Sequence, residues 1–325
     1  MSPDPLSTLY LGTRGSDLAL AQEGLAREAL KRAHPHVKIF RKIIRTTGDR
    51  RSEAALSGAH VAGVMDKGMF IRELELALQS REIDAAVHSL KDVPADLPDA
   101  FVLAAFLPRA PVHDVVLSLL PLSQGVASLP SEARVGTASV RRKRQLLWER
   151  PDLQIVEMRG NVPTRVDKLL APGGPDAIVL AFAGLQRLGW VSPADGHLLR
   201  GDRTVHCTGL DPARYPPSAG QGAVALEIRT GDERLERILS AVDHLETRRR
   251  VLLERRFLQL LEAGCLTPVG VYTAVEKGVL HASAQVFRED DDSASPVCAT
   301  AEGPANSPEE VAGELFSRLQ PLTRS

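Results

Sequence analysis

A short strand that breaks at Gly-Thr and resumes as a helix occurs twice in this 325-residue chain, and that recurrence limits the possible folds more than any other feature. In the first copy, residues 8–11 read as a strand. The turn Gly12-Thr13-Arg14-Gly15-Ser16 follows, then a helix over 17–32 with Leu18, Leu25 and Leu30 at helical spacing. The second copy is RVGTASVRRKR at 134–144: a strand ending near Val135, a turn through Gly136-Thr137-Ala138-Ser139, and a helix to about Glu149. Thr137 or Ser139 is a natural N-cap, and Leu146 and Leu147 supply part of an apolar face. MRGNVPTR at 158–165 echoes the design, with a strand over 153–158 and the polar turn Arg159-Gly160-Asn161. A helix then opens with Pro163 in its first turn and Arg165 beside it. Strand–turn–helix units in succession predict an α/β protein of two similarly built lobes facing one cleft.

The charge at these junctions carries the functional reading. Arg141, Arg142, Lys143 and Arg144 crowd the first helical turn of the second copy, where each cation opposes the helix dipole by about 0.3–1 kcal/mol at a surface. Free N–H groups and guanidinium forks together make a good anion site. A solvated basic face is the simpler account of one such run; two junctions of the same chemistry favour the anion site. Arg14 is a third candidate contact.

Composition narrows the anion. Lys+Arg is 40 against 41 Asp+Glu, so no global field draws the protein to nucleic acid or membrane, and the basic cluster is local. Aromatics at 4% are too few for an obvious base-stacking platform. A small acidic ligand is the better match. Cys207, Cys265 and Cys298 are odd in number and far apart, with no zinc spacing and no disulfide framework. With no secretory signal pattern in MSPDPLSTLY and no apolar run near the roughly 20 residues that span a bilayer, a cytoplasmic protein is expected.

Along the chain, 37–44 reads as a strand leading into Thr46-Thr47-Gly48-Asp49-Arg50. Residues 51–67 have no firm pattern and are either a mobile lid or an ordinary surface loop. A helix is expected over 68–79 and a buried strand over 83–87, delivering His88-Ser89-Leu90-Lys91-Asp92-Val93-Pro94. A Lys-Asp pair just past a strand's carboxyl end is where open α/β sheets place ligand chemistry. By type alone, however, Asp92 reads first as a cap and His88 as a structural histidine. Strands follow at 101–106, 114–119 and 176–181, with a hinge at 108–111; Arg187 reaches the cleft or caps a helix. Residues 219–226 form a Gly-rich turn into a strand that returns the chain to the first domain. A helix over 243–263 carries Leu245, Leu252, Phe257, Leu260 and Leu261, and its charges Arg248–Arg250, Arg255 and Arg256 read most simply as an outer face. Gly264 is its C′ residue and Cys265 lies on the loop beyond. A hairpin of strands 269–275 and 279–287, a strand at 297–301 and a helix over 308–319 complete a small α+β domain. The expected domains are 1–109 with 218–241, 110–217, and 242–325.

These segments together resemble the porphobilinogen deaminase (hydroxymethylbilane synthase) family over nearly the whole chain. The match is carried by GTRGSDLALAQ (12–22), TTGD (46–49), KGMFIRELE (67–75), DAAVHSLKDVP (84–94), GTASVRRKRQL (136–146), RGNVPTR (159–165), LAFAGLQRLG (180–189), GQGAV (220–224) and EAGCLTPVG (262–270). The resemblance implies two periplasmic-binding-protein-like α/β domains around a cleft plus a small α+β C-terminal domain. That last domain bears a dipyrromethane cofactor joined by a thioether to Cys265. It also implies that four porphobilinogen units are added one at a time with loss of ammonia, that hydrolysis releases hydroxymethylbilane, and that a monomer passes this product to uroporphyrinogen-III synthase. By the same resemblance Lys91, Ser139, Arg141, Arg142 and Arg165 bind cofactor carboxylates. Arg14, Ser16, Arg159 and Arg187 meet the incoming unit or growing chain, Gly160 and Asn161 shape that site, and Asp92 is the catalytic carboxylate. Arginine forks suit the many acetate and propionate groups, and a carboxylate stabilises pyrrole N–H groups as positive charge develops. Three departures stand out: Met65-Asp66 before Lys67, Ala138 in the turn, and Ala263 before Gly264-Cys265. None removes a group this chemistry requires. The rival reading is a non-catalytic two-lobed binding protein for a small polycarboxylate, which would have no use for Cys265 or Asp92.

Overall fold

The computed structural model describes residues 7–45, 71–191, 196–264, 267–289 and 294–323. Cys265, the Thr46–Asp49 motif and the candidate lid at 51–67 therefore lie outside the described residues. In chain order the elements are β1 (Thr8–Thr13), α1 (Asp17–Ala33), β2 (Lys38–Ile43), α2 (Arg72–Gln79), β3 (Ala85–Ser89), β4 (Phe101–Phe106), β5 (Asp114–Ser118), β6 (Arg134–Gly136) and α3 (Val140–Glu149). Then come β7 (Gln154–Val156), α4 (Val162–Leu170), β8 (Ala177–Ala181), α5 (Phe182–Arg187), β9 (His197–Arg200), β10 (Arg203–Gly209), β11 (Val224–Arg229) and α6 (Glu233–Ser240). The chain continues through α7 (Leu245–Leu260), β12 (Val269–Glu276), β13 (Val279–Val286), β14 (Val297–Pro304) and α8 (Pro308–Thr323). The chain divides into two compact units, Met1–Ala110 with Gly222–Val251, and Pro111–Gln221 with Leu252–Ser325. Among the described residues no helix is long and apolar enough to cross a membrane.

The first unit holds a five-stranded sheet in the order β2-β1-β3-β11-β4, with β1 parallel to β2 and β3, and β11 antiparallel to β3 and β4. Period-two alternation sorts β1: Leu9 and Leu11 are fully buried while Tyr10 between them is exposed. The inward face of α1 is Gln22, Glu23, Ala26 and Leu30, not the expected Leu18–Leu25–Leu30 stripe, and Leu25 is half exposed. Glu23 tolerates burial because Arg27 and Arg41 both pair with it.

The second unit carries a six-stranded sheet in the order β7-β6-β8-β5-β10-β9. Its parallel trio β7-β6-β8 repeats the β2-β1-β3 trio, each followed by an antiparallel strand. Gly12 ends one first strand and Gly136 the other. A Cβ on Gly12 would fall 2.2 Å from Ile83 Cδ1, and one on Gly136 would fall 2.8 Å from Met158 Cε. Both junctions use glycine because a side chain has no room. The same unit contains the antiparallel sheet β12-β13-β14, covered by α8 around Leu253, Phe257, Val271, Leu280, Ala312 and Leu315.

Helix α7 differs from expectation at both ends. Arg248 is not on an outer face: it donates to Asp243 and to the Ala104 carbonyl and lies 5.0 Å over the Phe106 ring. At the far end Glu262, not Gly264, takes the left-handed position, with φ +50°. Glu262 N–H donates to Gln259 O and Ala263 N–H to Leu258 O, the paired bonds of a Schellman cap. Gly264 N–H then donates to Thr267 Oγ1, which donates to Glu289, so the chain is pinned on each side of position 265.

One close approach gives a stability prediction. A Cβ on Gly270 would lie 2.4 Å from the Pro216 carbonyl oxygen, a backbone atom that cannot rotate away. Gly270→Ala should cost about 1–3 kcal/mol, read as a lowered urea midpoint; an unchanged midpoint would mean the backbones separate freely there.

Candidate functional site

In the first unit the turns that follow parallel strands β1 and β3 open at the same sheet edge, the usual ligand edge of such sheets. Ser16 caps α1, its Oγ accepting from Ala19 N–H. Past β3 the chain tightens into a single 3₁₀ turn, Leu90–Asp92, closed by Val93 N–H on Leu90 O and followed by Pro94. These turns line an open pocket whose walls include Arg14, Ser16, Gln22, His88 and Asp92. Gln22 is 3% exposed, and among the described residues its Nε2 has no hydrogen-bond partner. A buried amide left unpaired costs about 1–3 kcal/mol, so this donor is set for a ligand. Lys91 is half-buried on the Asp92 turn.

In the second unit the corresponding edge carries Ser139 and the remaining cations: Arg141 and Arg142 after β6, Arg159 and Arg165 after β7, and Arg187 after β8. Arg141 and Arg142 are neither a solvated face nor loose forks: they are 3% and 7% exposed. Arg141 donates to Asp114 Oδ2 at 2.8 Å, Gln145 Oε1 at 2.8 Å, Pro216 O at 3.0 Å and Ser218 Oγ at 3.2 Å. Arg142 clasps Asp114 with Nε at 3.1 Å and Nη2 at 2.8 Å, and donates to Val179 O. Gln221 Nε2 adds a further donor to Asp114 at 2.8 Å. Burial alone would raise the Asp114 carboxyl; Arg141 and Arg142 outweigh it and hold the group well below the usual carboxylate range. Asp114 reaches this edge because β5 runs antiparallel to β8 and begins where β8 ends, Asp114 opposite Ala181.

Ser139 is the N-cap of α3, its Oγ accepting from Arg142 N–H. Asn161 caps α4, its Oδ1 accepting from Thr164 N–H and Oγ1. Gly160 has φ +122°, and a Cβ there would lie 2.8 Å from Thr164 Cγ2, so only glycine allows this turn. Arg165 Nε donates to Gly160 O at 2.7 Å, fastening helix to turn. Arg159 is exposed and meets Glu157 at 2.6 Å, a surface pair of little energetic weight. Burial pushes the Arg187 guanidinium down to about 10.

Asp114, Gln22 and Glu227 carry site chemistry that residue patterns did not single out. The one available signal for Asp114 was an acid opening the otherwise apolar strand Asp114–Ser118. Glu227, inside Val224–Arg229, has the same signature.

Comparison with known proteins identifies relatives over most of the chain. The sequence model described as "Porphobilinogen deaminase, dipyromethane cofactor binding domain" matches residues 9–237, and that of the "Porphobilinogen deaminase, C-terminal domain" matches 248–320. A porphobilinogen deaminase of Desulforudis audaxviator is 42% identical over 96% of this chain and 94% of its own length. One of Rubrobacter xylanophilus is 44% identical over 96% and 93%. Among solved structures, the periplasmic VFT2 domain of Bordetella pertussis BvgS aligns at 15% identity with a TM-score of 0.40, covering 73% of this chain and 86% of that one.

The Asp114 cluster predicts a defined pH signature. Asp114→Asn leaves two buried cations without a counter-charge and should cost about 3–5 kcal/mol at neutral pH. Because the folded-state pKa is depressed, this contribution is complete above the unfolded value of about 4 and declines only below it. Urea unfolding across pH should show a constant wild-type-to-variant gap from about pH 5 to 8, narrowing under more acidic conditions. A gap that varies between pH 5 and 8 would contradict the assignment.

Proposed function

The chain belongs to the porphobilinogen deaminase family, and from that premise we propose the part each residue plays in making hydroxymethylbilane from porphobilinogen on a dipyrromethane primer. The observation that carries the assignment is the first-unit pocket, where Arg14, Ser16 and the unpartnered Gln22 amide stand with the single carboxylate of Asp92. A ligand bearing acetate, propionate and pyrrole N–H groups needs several donors and one acceptor, and this donor set supplies them. When bound, the primer supplies the nucleophilic ring carbon onto which each new unit is condensed.

The protein's own groups then divide the work. Cys265, outside the described residues, is the proposed attachment point. The Schellman cap before it and the Gly264–Thr267 bond across it fix where the chain enters and leaves that position. Asp92 accepts pyrrole N–H groups and stabilises positive charge as it develops beside them. Arg14, Ser16 and Gln22 orient carboxylates in the pocket, with Arg159 and Arg187 meeting those of the incoming unit or growing chain. Lys91, Ser139 and Arg165 hold primer carboxylates, and Gly160 and Asn161 shape the turn beside Arg159 where the incoming unit is met. Arg141 has four of its N–H donors occupied internally. Its role, with Arg142, is therefore to set the α3 N-terminus and Ser139 in place and to offer the remaining donors to the primer.

A polycarboxylate-binding protein would share these cations but would have no work for Asp92 among them. We further propose a cytoplasmic monomer of three domains, 1–109 with 218–241, 110–217, and 242–325, that hands its product to uroporphyrinogen-III synthase. The dispersed cysteines suit a reducing compartment.

Asp92→Ala should lower kcat by about 10²-fold or more while the circular dichroism spectrum and melting point stay near wild type; turnover close to wild type would remove Asp92 from the mechanism. Arg141→His or Arg142→His should accumulate protein lacking the primer, seen as a lighter intact mass, and fully primed variants would contradict the positioning role.

A further inference from the structure

Beneath the Asp92 pocket is a buried acid–base pair that the mechanism above does not use. His88, on β3, lines the pocket and is 5% exposed. Its Nε2 lies 2.7 Å from Glu227 Oε2 on β11. The sheet register explains the meeting: Ala225 pairs with His88 and Glu227 with Ala86, so Glu227 is the diagonal neighbour of His88 on one face. Glu227 is fully buried, and among the described residues its second oxygen has no partner.

An ionised carboxylate only accepts, so the imidazole nitrogen facing it must carry the proton. In the neutral ring Nδ1 is then the lone-pair nitrogen. Among the described residues it has no hydrogen-bond partner. The ring is oriented by a carboxylate behind it and has a second nitrogen that no described residue engages. The other ionisable groups around it are Glu75 on α2 and, in the pocket, Arg14 and Asp92. Glu75 is raised first by burial and then by the Glu227 charge, with the His88 charge opposing.

We propose that His88, oriented by Glu227, is the base that takes up the proton displaced from carbon in each condensation. The balance is simple. The substrate's C–N bond breaks with its electron pair leaving on nitrogen as ammonia, and the new C–C bond forms at a ring carbon bearing hydrogen. That hydrogen leaves as a proton to His88 Nδ1, the C–H pair returns to the ring, and ammonia or solvent then takes the proton from the imidazolium. Glu227 stabilises the imidazolium, as a carboxylate does for any histidine acting as a base.

The inference rests on the deaminase reading, and the test separates the two. Nitrogen-15 NMR of the wild-type holoenzyme at about pH 8 should show His88 protonated on Nε2 and not on Nδ1; a proton on Nδ1 overturns the proposal without any variant. His88→Gln should lower kcat by about 10²-fold or more, with KM within about twofold and primer loading intact by mass. Glu227→Gln keeps the shape but removes the charge, so the remaining base is weaker. The acidic limb of the kcat–pH profile should move to lower pH, and the plateau should fall about tenfold. A His88→Gln enzyme matching wild type, or a Glu227→Gln profile superimposing on it, overturns the proposal while wild-type turnover leaves the family reading standing. Failure of wild type itself to form hydroxymethylbilane would strike that reading instead.

Discussion

One buried carboxylate organises the second sheet's ligand edge. Asp114 accepts four hydrogen bonds, from Arg141, twice from Arg142, and from Gln221. Two guanidiniums packed at a helix N-terminus would repel each other and the helix dipole; their desolvation is tolerable only because this acceptor is saturated. The cluster also links distant parts of the chain, since Arg141 reaches Pro216 and Ser218, and Gln145 in the next turn bonds Pro216 and Gln285. The hydrogen bonds that orient α3 are thus the ones that place Ser139 and tie the C-terminal sheet to the same unit.

The two sheets solve one geometric problem in the same way. Parallel strands deliver their following turns to one edge, and an antiparallel strand brings a buried acid back to it: Glu227 on β11 beneath His88, Asp114 on β5 beneath Arg141 and Arg142. The acids serve different partners. In the first unit the acid pairs with an imidazole beside a pocket that holds a second carboxylate; in the second it neutralises permanent cations.

Much of this was legible in the residues. The Gly-Thr junctions, the N-cap of α3 (read as Thr137 or Ser139 and found at Ser139), the β4 strand at Phe101–Phe106 and the hairpin around Lys277-Gly278 follow from local chemistry, and local chemistry is what short-range patterns encode. The departures are long-range. Leu25 fits a helical stripe yet is exposed, because the Gln22–Ala26–Leu30 face is the one that meets the sheet. Arg141 and Arg142 read as an open anion site or a solvated face because Asp114, 27 and 28 residues away, carries no local mark of its partners. His88 and Glu227 are 139 residues apart, so only the β3–β11 register brings them together. Glu262 in a left-handed cap was invisible beside Gly264, the residue that cap chemistry favours.

The account turns on a covalent primer whose carboxylates are held by these prearranged donors. The intact mass of the purified wild-type protein tests this most directly. The account predicts a mass exceeding that of the bare chain by two linked pyrrole units, and the loss of that excess in Cys265→Ser. A wild-type mass equal to the bare chain in active enzyme, or an excess that survives in Cys265→Ser, would contradict it.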